Sequence, residues 1–185
     1  MARLPLLEYE EVSGPLKEAY DYQIQKSGAP SNMKKVLANS WPVYDAYMGW
    51  YTIFARLLEI LGERDSVIYS HAISTTNGCL LCSLFFIYDL KALGEDPKNL
   101  VLDEKEELLV RLGSTIVKDL NGVDDELFAE LKKYWNHEEI AVLVGFAGQM
   151  IATNIFNSVL DVDPDDKFLS IVSEFEPETW RAKNK

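Results

Sequence analysis

A chain of 185 residues with 48% hydrophobic residues, 10 Gly and 7 Pro is long enough to bury one core and too apolar to stay disordered. Its formal net charge of -12 repels nucleic-acid backbones and anionic membrane surfaces, so neither is an expected partner. No apolar run of about 18 residues and no charged, apolar, small-residue leader stands out, which argues against a membrane span or secretion signal and makes a cytoplasmic location the expectation.

Met1 to Val12 reads as an extended lead-in. Ser13 is placed to cap a helix with Pro15 in its first turn, and Leu16, Ala19, Tyr20 and Ile24 recur at helical spacing until Gly28. Pro30 to Asn39 predicts a short helix, and Ser40-Trp41-Pro42 starts a longer one through Leu61. That stretch carries Trp41, Tyr44, Tyr47, Met48, Trp50, Tyr51 and Phe54; aromatics at helical spacing usually bury area, which favours core and subunit-interface packing over ligand stacking. Gly62 ends it. Glu63 to Thr75 and Cys79 to Leu93 then form two arms of a helical hairpin around Asn77-Gly78, with Gly94 and Pro97 as the stop.

Asp103 with Glu106 is a capping box for a helix through Asp119, closed by Asn121-Gly122. Asp124 caps another to Trp135. Asn136 with Glu139 opens a third, Glu138 to Leu160, apolar on nearly every side, as expected of a helix buried in a bundle or an oligomer interface. With no alternating strand pattern and no internal repeat, the fold class is all-α.

The chemistry concentrates in the hairpin. Cys79 and Cys82 are the only cysteines, and a Cys-x-x-Cys spacing arises by chance roughly one time in a hundred for two cysteines placed at random. At a helix start they lie beside unpaired backbone N–H groups and the positive end of the dipole, which favour a thiolate. In a cytoplasmic protein such a pair is expected to be reduced or cycling rather than a permanent staple.

Ser74, Asn77-Gly78 and Cys79-Leu80-Leu81-Cys82 resemble the core of the carboxymuconolactone decarboxylase and alkylhydroperoxidase D (AhpD-like) superfamily, whose pattern is a Glu, eleven residues, Cys-x-x-Cys, three residues and a His. The order of helices after the hairpin, with Asn154 and Asn157 near the end of the last long one, resembles the peroxidase-related branch. The resemblance spans roughly Arg3 to Pro164 and implies an AhpD-like helical bundle over residues 1–164, with 165–185 as a C-terminal extension. Phe168, Phe175 and Trp180 suit that extension to docking on its own or a neighbouring subunit. Four positions depart from the pattern. The family Glu falls on Val67, the family His on Phe86, and the His that some members carry before the second cysteine is Leu81; the common Arg after the Asn motif is Ser158.

The resemblance implies a thiol-dependent hydroperoxide reductase using a Cys79/Cys82 dithiol, an external thiol reductant, no bound organic cofactor, and a homo-oligomer, trimer or hexamer. It assigns Cys82 as the attacking sulfur and Cys79 as the resolving one, whereas the helix dipole alone favours Cys79 as the more acidic thiol. With the Glu-and-His relay missing, His71, one helical turn after Val67 on the same face, is the candidate base. It reads equally well as a half-buried helix residue satisfied by a neighbour, and His137 reads as a surface neighbour of a helix cap. The rival class is a noncatalytic oligomeric binding protein whose state the cysteines set, with a dry pocket made by Val67 and Phe86. A decarboxylase fits less well, because members with that activity commonly lack the dithiol. Two cysteines and two distant histidines match no compact zinc spacing, and the acidic stretch Asp161 to Asp166 lacks the EF-hand ligand pattern.

Overall fold

In the computed structural model, which describes residues 2–175, a 3-10 turn (Tyr9–Glu11) precedes α1 (Pro15–Ser27), α2 (Asn32–Leu37), α3 (Trp41–Gly49), α4 (Tyr51–Thr76), α5 (Leu80–Ala92), α6 (Glu104–Lys118), α7 (Asp125–Tyr134) and α8 (His137–Val159). A 3-10 segment (Asp166–Glu174) ends the described chain, and no strand occurs among the described residues. The all-α expectation holds.

The Asp and Asn caps do what their chemistry demands. Asp103 and Asn136 each form a capping box, with Glu106 and Glu139 reaching back to the cap N–H, and the Asp124 side chain accepts from the Leu127 N–H. Ser13, in contrast, is not the cap: the N-cap of α1 is Gly14, at φ 58° and ψ −137°, with no side-chain cap bond. The predicted aromatic helix from Trp41 to Leu61 is two helices, because the chain tightens at Gly49-Trp50, where the Trp50 N–H bonds to Tyr47 O at 3.3 Å. Gly62 does interrupt the backbone, at φ 77° and ψ 176°, and the Ser66 hydroxyl takes up its carbonyl at 2.6 Å.

The half of α4 after Gly62 is the axis of the bundle, with α5, α6 and α8 against it. Ile68, Tyr69, Ala72 and Ile73 are fully buried there, among Leu109 and Leu112 of α6 and Leu143, Phe146 and Ala147 of α8. Burying each large aliphatic side chain contributes about 1.5–3 kcal/mol. Close approach of α6 depends on Gly113: a Cβ there would meet Ile73 Cγ1 at 2.9 Å and Tyr69 Cε2 at 3.0 Å. The Tyr69 hydroxyl donates to Leu143 O at 3.1 Å, and Arg64 pairs with the buried Glu106 and, at 2.7 Å, with Glu95. The α4 axis is thereby tied to α6, to α8 and to the α5–α6 loop.

One expectation about apolar runs changes. α8, with mean hydropathy 1.5, is the one described helix long and apolar enough to cross a membrane. Its stripe of Ile140, Leu143, Phe146, Ala147 and Met150 is buried within the bundle, while Val144, Ile155 and Val159 are exposed. The C-terminal 3-10 segment packs on α5 of the same chain. Phe168 lies edge-on to Phe85 and Tyr88, with ring centroids 5.7 Å away in both cases, and Glu174 pairs with Lys91 at 2.5 Å. Trp180 lies outside the described residues.

Candidate functional site

Gly78, at φ 72°, turns the chain from α4 into α5 and leaves Cys79 as the N-cap of α5. The Cys79 sulfur takes the role usually filled by a Ser or Asp oxygen, accepting the Cys82 backbone N–H at 3.3 Å. The spacing of three residues on a helical turn brings the two sulfurs to 2.6 Å, both as free thiols and both buried. Only a small movement separates this contact from the roughly 2.05 Å of a disulfide bond.

The two thiols are not equivalent. Cys79 is held below the ordinary thiol pKa, first by the hydrogen bond from the Cys82 thiol and then by the Cys82 backbone N–H, the Ser158 hydroxyl and the Leu81 N–H, against a burial penalty. Cys82 is pushed well up, by burial first and by the neighbouring Cys79 second, with the Asn157 amide opposing. The first negative charge therefore rests on Cys79, and Cys82 donates to it.

Access runs the other way. A cavity of about 190 Å³ is lined by Cys82 and not by Cys79. Its walls are mainly apolar and aromatic, with Trp50 from the turn between α3 and α4, Tyr51 and Phe54 from α4, Phe85 and Phe86 from α5, and Phe146 and Met150 from α8; Tyr51 and Phe85 are also substantially exposed. Asn157 of α8 fixes the polar end: its amide N–H₂ donates to Cys82 Sγ at 3.2 Å and to Met33 Sδ at 3.4 Å.

Of the predicted site residues, the structure brings Cys79 and Cys82 together and leaves His71 without a hydrogen bond to either. His71 is buried in α4, neither ring nitrogen has a hydrogen-bond partner among the described residues, and burial lowers its pKa from 6.5 to about 4. The sulfurs are contacted instead by each other, by Asn157, which the sequence pattern singled out without a role, and by Ser158, which stands where the pattern commonly has Arg. Phe86, at the family His position, lines the cavity, whereas Val67 belongs to the bundle core, so the expected Val67–Phe86 pocket is replaced by one between Phe86 and the aromatic helices. The aromatic stretch does more than the packing expected of it, since Tyr47, Trp50, Tyr51 and Phe54 all face this cavity. Met33 had no sequence signal at all. His137 is exposed beside the α8 cap, as read from the sequence. Among the described residues no group of three or more His, Cys, Asp or Glu side chains is placed to hold a metal ion.

This arrangement of helices is the AhpD-like fold. The chain superposes on an uncharacterized peroxidase-related protein from Silicibacter sp. TM1040 with a TM-score of 0.71 at 16% identity, covering 90% of this chain and 93% of that one. It superposes likewise on an uncharacterized peroxidase-related protein with an alkylhydroperoxidase AhpD core, from Ralstonia eutropha JMP134, with a TM-score of 0.69 at 13% identity, covering 92% and 96%. No family model matches the sequence, and no curated protein matches it.

Proposed function

We propose that the protein is a cytoplasmic, thiol-dependent hydroperoxide reductase in which Cys82 attacks and Cys79 supplies the charge and resolves. The observation that carries this reading is the division between the two sulfurs: Cys82 faces the cavity, Cys79 is the more acidic, and 2.6 Å separates them.

When the pair ionises, the Cys79 thiolate accepts a hydrogen bond from the Cys82 thiol. Transfer of that proton to Cys79 leaves the thiolate on Cys82, which attacks the terminal oxygen of a hydroperoxide ROOH entering the cavity. The O–O bond breaks, Cys82 becomes a sulfenic acid, and the leaving alkoxide takes the proton from Cys79 to depart as ROH. The restored Cys79 thiolate then attacks the Cys82 sulfur, forming the disulfide and expelling hydroxide. The peroxide is reduced by two electrons, the dithiol is oxidised by two, and an external thiol such as dithiothreitol returns them. Asn157 stabilises the charge on Cys82 at the moment of attack.

The missing Glu-and-His relay is replaced in this reading by the partner thiol, because His71 has neither a hydrogen bond to the sulfurs nor the basicity to hold a proton near neutral pH. The apolar cavity wall favours an organic hydroperoxide over hydrogen peroxide. A homo-oligomer, trimer or hexamer, is part of the same proposal, supported by the exposed apolar residues of α8.

The test is to mix prereduced protein with cumene hydroperoxide in a stopped-flow instrument and count free thiols before and after. The reading expects wild type to lose both thiols rapidly, and faster with cumene hydroperoxide than with hydrogen peroxide. Thiols that react no faster than free cysteine would overturn it and favour a binding role for the cavity.

A further inference from the structure

A second cavity, of about 450 Å³, shares Tyr51 with the first and lies between α1, α2, α3 and the start of α4. Its volume falls within the range of small-molecule sites, about 300–1,000 Å³. Nothing in the thiol chemistry uses it.

Its charge is anomalous for this chain. The sequence has 30 acidic against 18 basic residues, and Lys35, Lys91 and Lys105 each hold a carboxylate. Lys26 and Lys34 both line this cavity and pair with no carboxylate among the described residues. Lys34 is half-buried. Its ammonium donates to the buried Gln23 Oε1 at 2.5 Å and stands 5.4 Å from the centre of the Tyr51 ring, which leaves donor capacity unused. Burial, and then repulsion from Lys26, pull its pKa down to about 8, with Asp165 opposing. An anion placed between the two lysines would relieve that repulsion. The acidic residue lining the cavity, Asp45, is exposed and forms no ion pair with either lysine.

The walls specify the rest of the ligand. Trp41 and Tyr44 stack at 6.2 Å and 16°, and with Tyr51 and Met48 they give flat, apolar contact surface. The Tyr44 hydroxyl, fully buried, has no hydrogen-bond partner among the described residues. We propose that this cavity is a second ligand site, separate from the dithiol, that takes a small aromatic carboxylate with its anionic end on Lys34 and Lys26 and its ring against the Trp41 and Tyr51 walls.

The experiment is isothermal titration of the reduced full-length protein with 2-naphthoate, its neutral isostere 2-naphthamide, and octanoate. Saturable one-to-one binding of 2-naphthoate is expected, with the amide and octanoate each weaker by about tenfold or more, the loss that follows from removing one charge-assisted contact or the flat stacking surface. Lys34→Met, and Lys26→Met at the exposed rim, are each expected to weaken 2-naphthoate by about tenfold. Cys82→Ser is expected to bind it as wild type does, which separates this site from the thiol cavity. Absence of saturable binding overturns the proposal, as does equal affinity for acid and amide or for 2-naphthoate and octanoate. So does loss of binding in Cys82→Ser with retention in Lys34→Met. The comparison of ligands on wild type stands even if a lysine variant fails to fold.

Discussion

The two ends of α4's second half are built on opposite terms. At the level of Tyr69 and Ile73, where α6 and α8 pack, the facing side chains are apolar, and the buried hydroxyls of Tyr69 and Ser70 have their partners on Leu143 O and Ser66 O. At the hairpin end, the Asn154 amide nitrogen, the Asn157 carbonyl oxygen and the Ser83 hydroxyl are buried without partners among the described residues, in the region of two sulfurs 2.6 Å apart. His71, within the packed level, is its exception and leaves both ring nitrogens unpartnered among the described residues. An unpartnered buried polar group typically costs about 1–3 kcal/mol. The first region, His71 apart, therefore carries the stability of the fold, and the second holds polar groups at a cost in stability, Asn157 among them because its amide contacts Cys82.

Substitutions that separate function from stability break this comparison most sharply. Cys82→Ser is expected to lower the rate of peroxide-dependent thiol loss by a factor on the order of a thousand or more, because a hydroxyl lacks the thiolate's nucleophilicity, while the urea midpoint stays near that of wild type. A matching loss of stability would contradict the division.

His71 sharpens it through pH. Its folded pKa of about 4 lies below its ordinary 6.5, so above pH 6.5 it is neutral in both states and contributes nothing. Between 6.5 and 4 the unfolded chain takes up a proton that the folded chain refuses, so stability falls as pH falls, levelling at a loss of roughly 3 kcal/mol below pH 4. Denaturant melts across this window are expected to show a shallower decline in His71→Leu than in wild type, with thiol reactivity at pH 7 nearly unchanged. A slowed peroxide reaction at neutral pH would return His71 to the role of base.

A smaller effect belongs to the apolar region. Gly113→Ala is expected to destabilise by about 1–2 kcal/mol in a urea melt, since the overlap with Ile73 and Tyr69 outweighs the gain in helix propensity. The thiol reaction is expected to be unaffected.

The smallest effect tests a single hydrogen bond. Removing the amide donor in Asn157→Leu is expected to raise the Cys82 pKa further and slow attack by about tenfold, with Cys79 still titrating below the ordinary thiol range by thiolate absorbance. An unchanged rate would deny Asn157 its part in stabilising the attacking sulfur.

What the sequence discloses follows the reach of each interaction. Caps at Asp103, Asp124 and Asn136 are legible because the side chain and the N–H it satisfies are three residues apart. Ser13 misleads for the complementary reason: it has the right chemistry, but Gly14 next to it adopts a positive φ and becomes the cap itself. The dithiol is legible from spacing alone. The cavity is not, because whether Trp50 and Phe54 face a core or Cys82 depends on how α3 and α4 turn at Gly49-Trp50 and where α8 crosses them. The same holds for the two sulfurs. Acidity follows from the local helix start and favours Cys79; access follows from tertiary packing and favours Cys82. The structure gives the two properties to different residues of one pair.

The central claim is that Cys82 is the sulfur that meets the peroxide and Cys79 the one that holds the charge. Its most direct test is to treat prereduced Cys79→Ser with one equivalent of cumene hydroperoxide in the presence of dimedone, and to locate the adduct by peptide mass spectrometry, with Cys82→Ser as the counterpart. The account predicts a sulfenic-acid adduct on Cys82 in the first variant, formed more slowly than wild-type disulfide because the partner thiolate is gone, and none on Cys79 in the second. An adduct on Cys79 in Cys82→Ser, with Cys82 unmodified in Cys79→Ser, would contradict it.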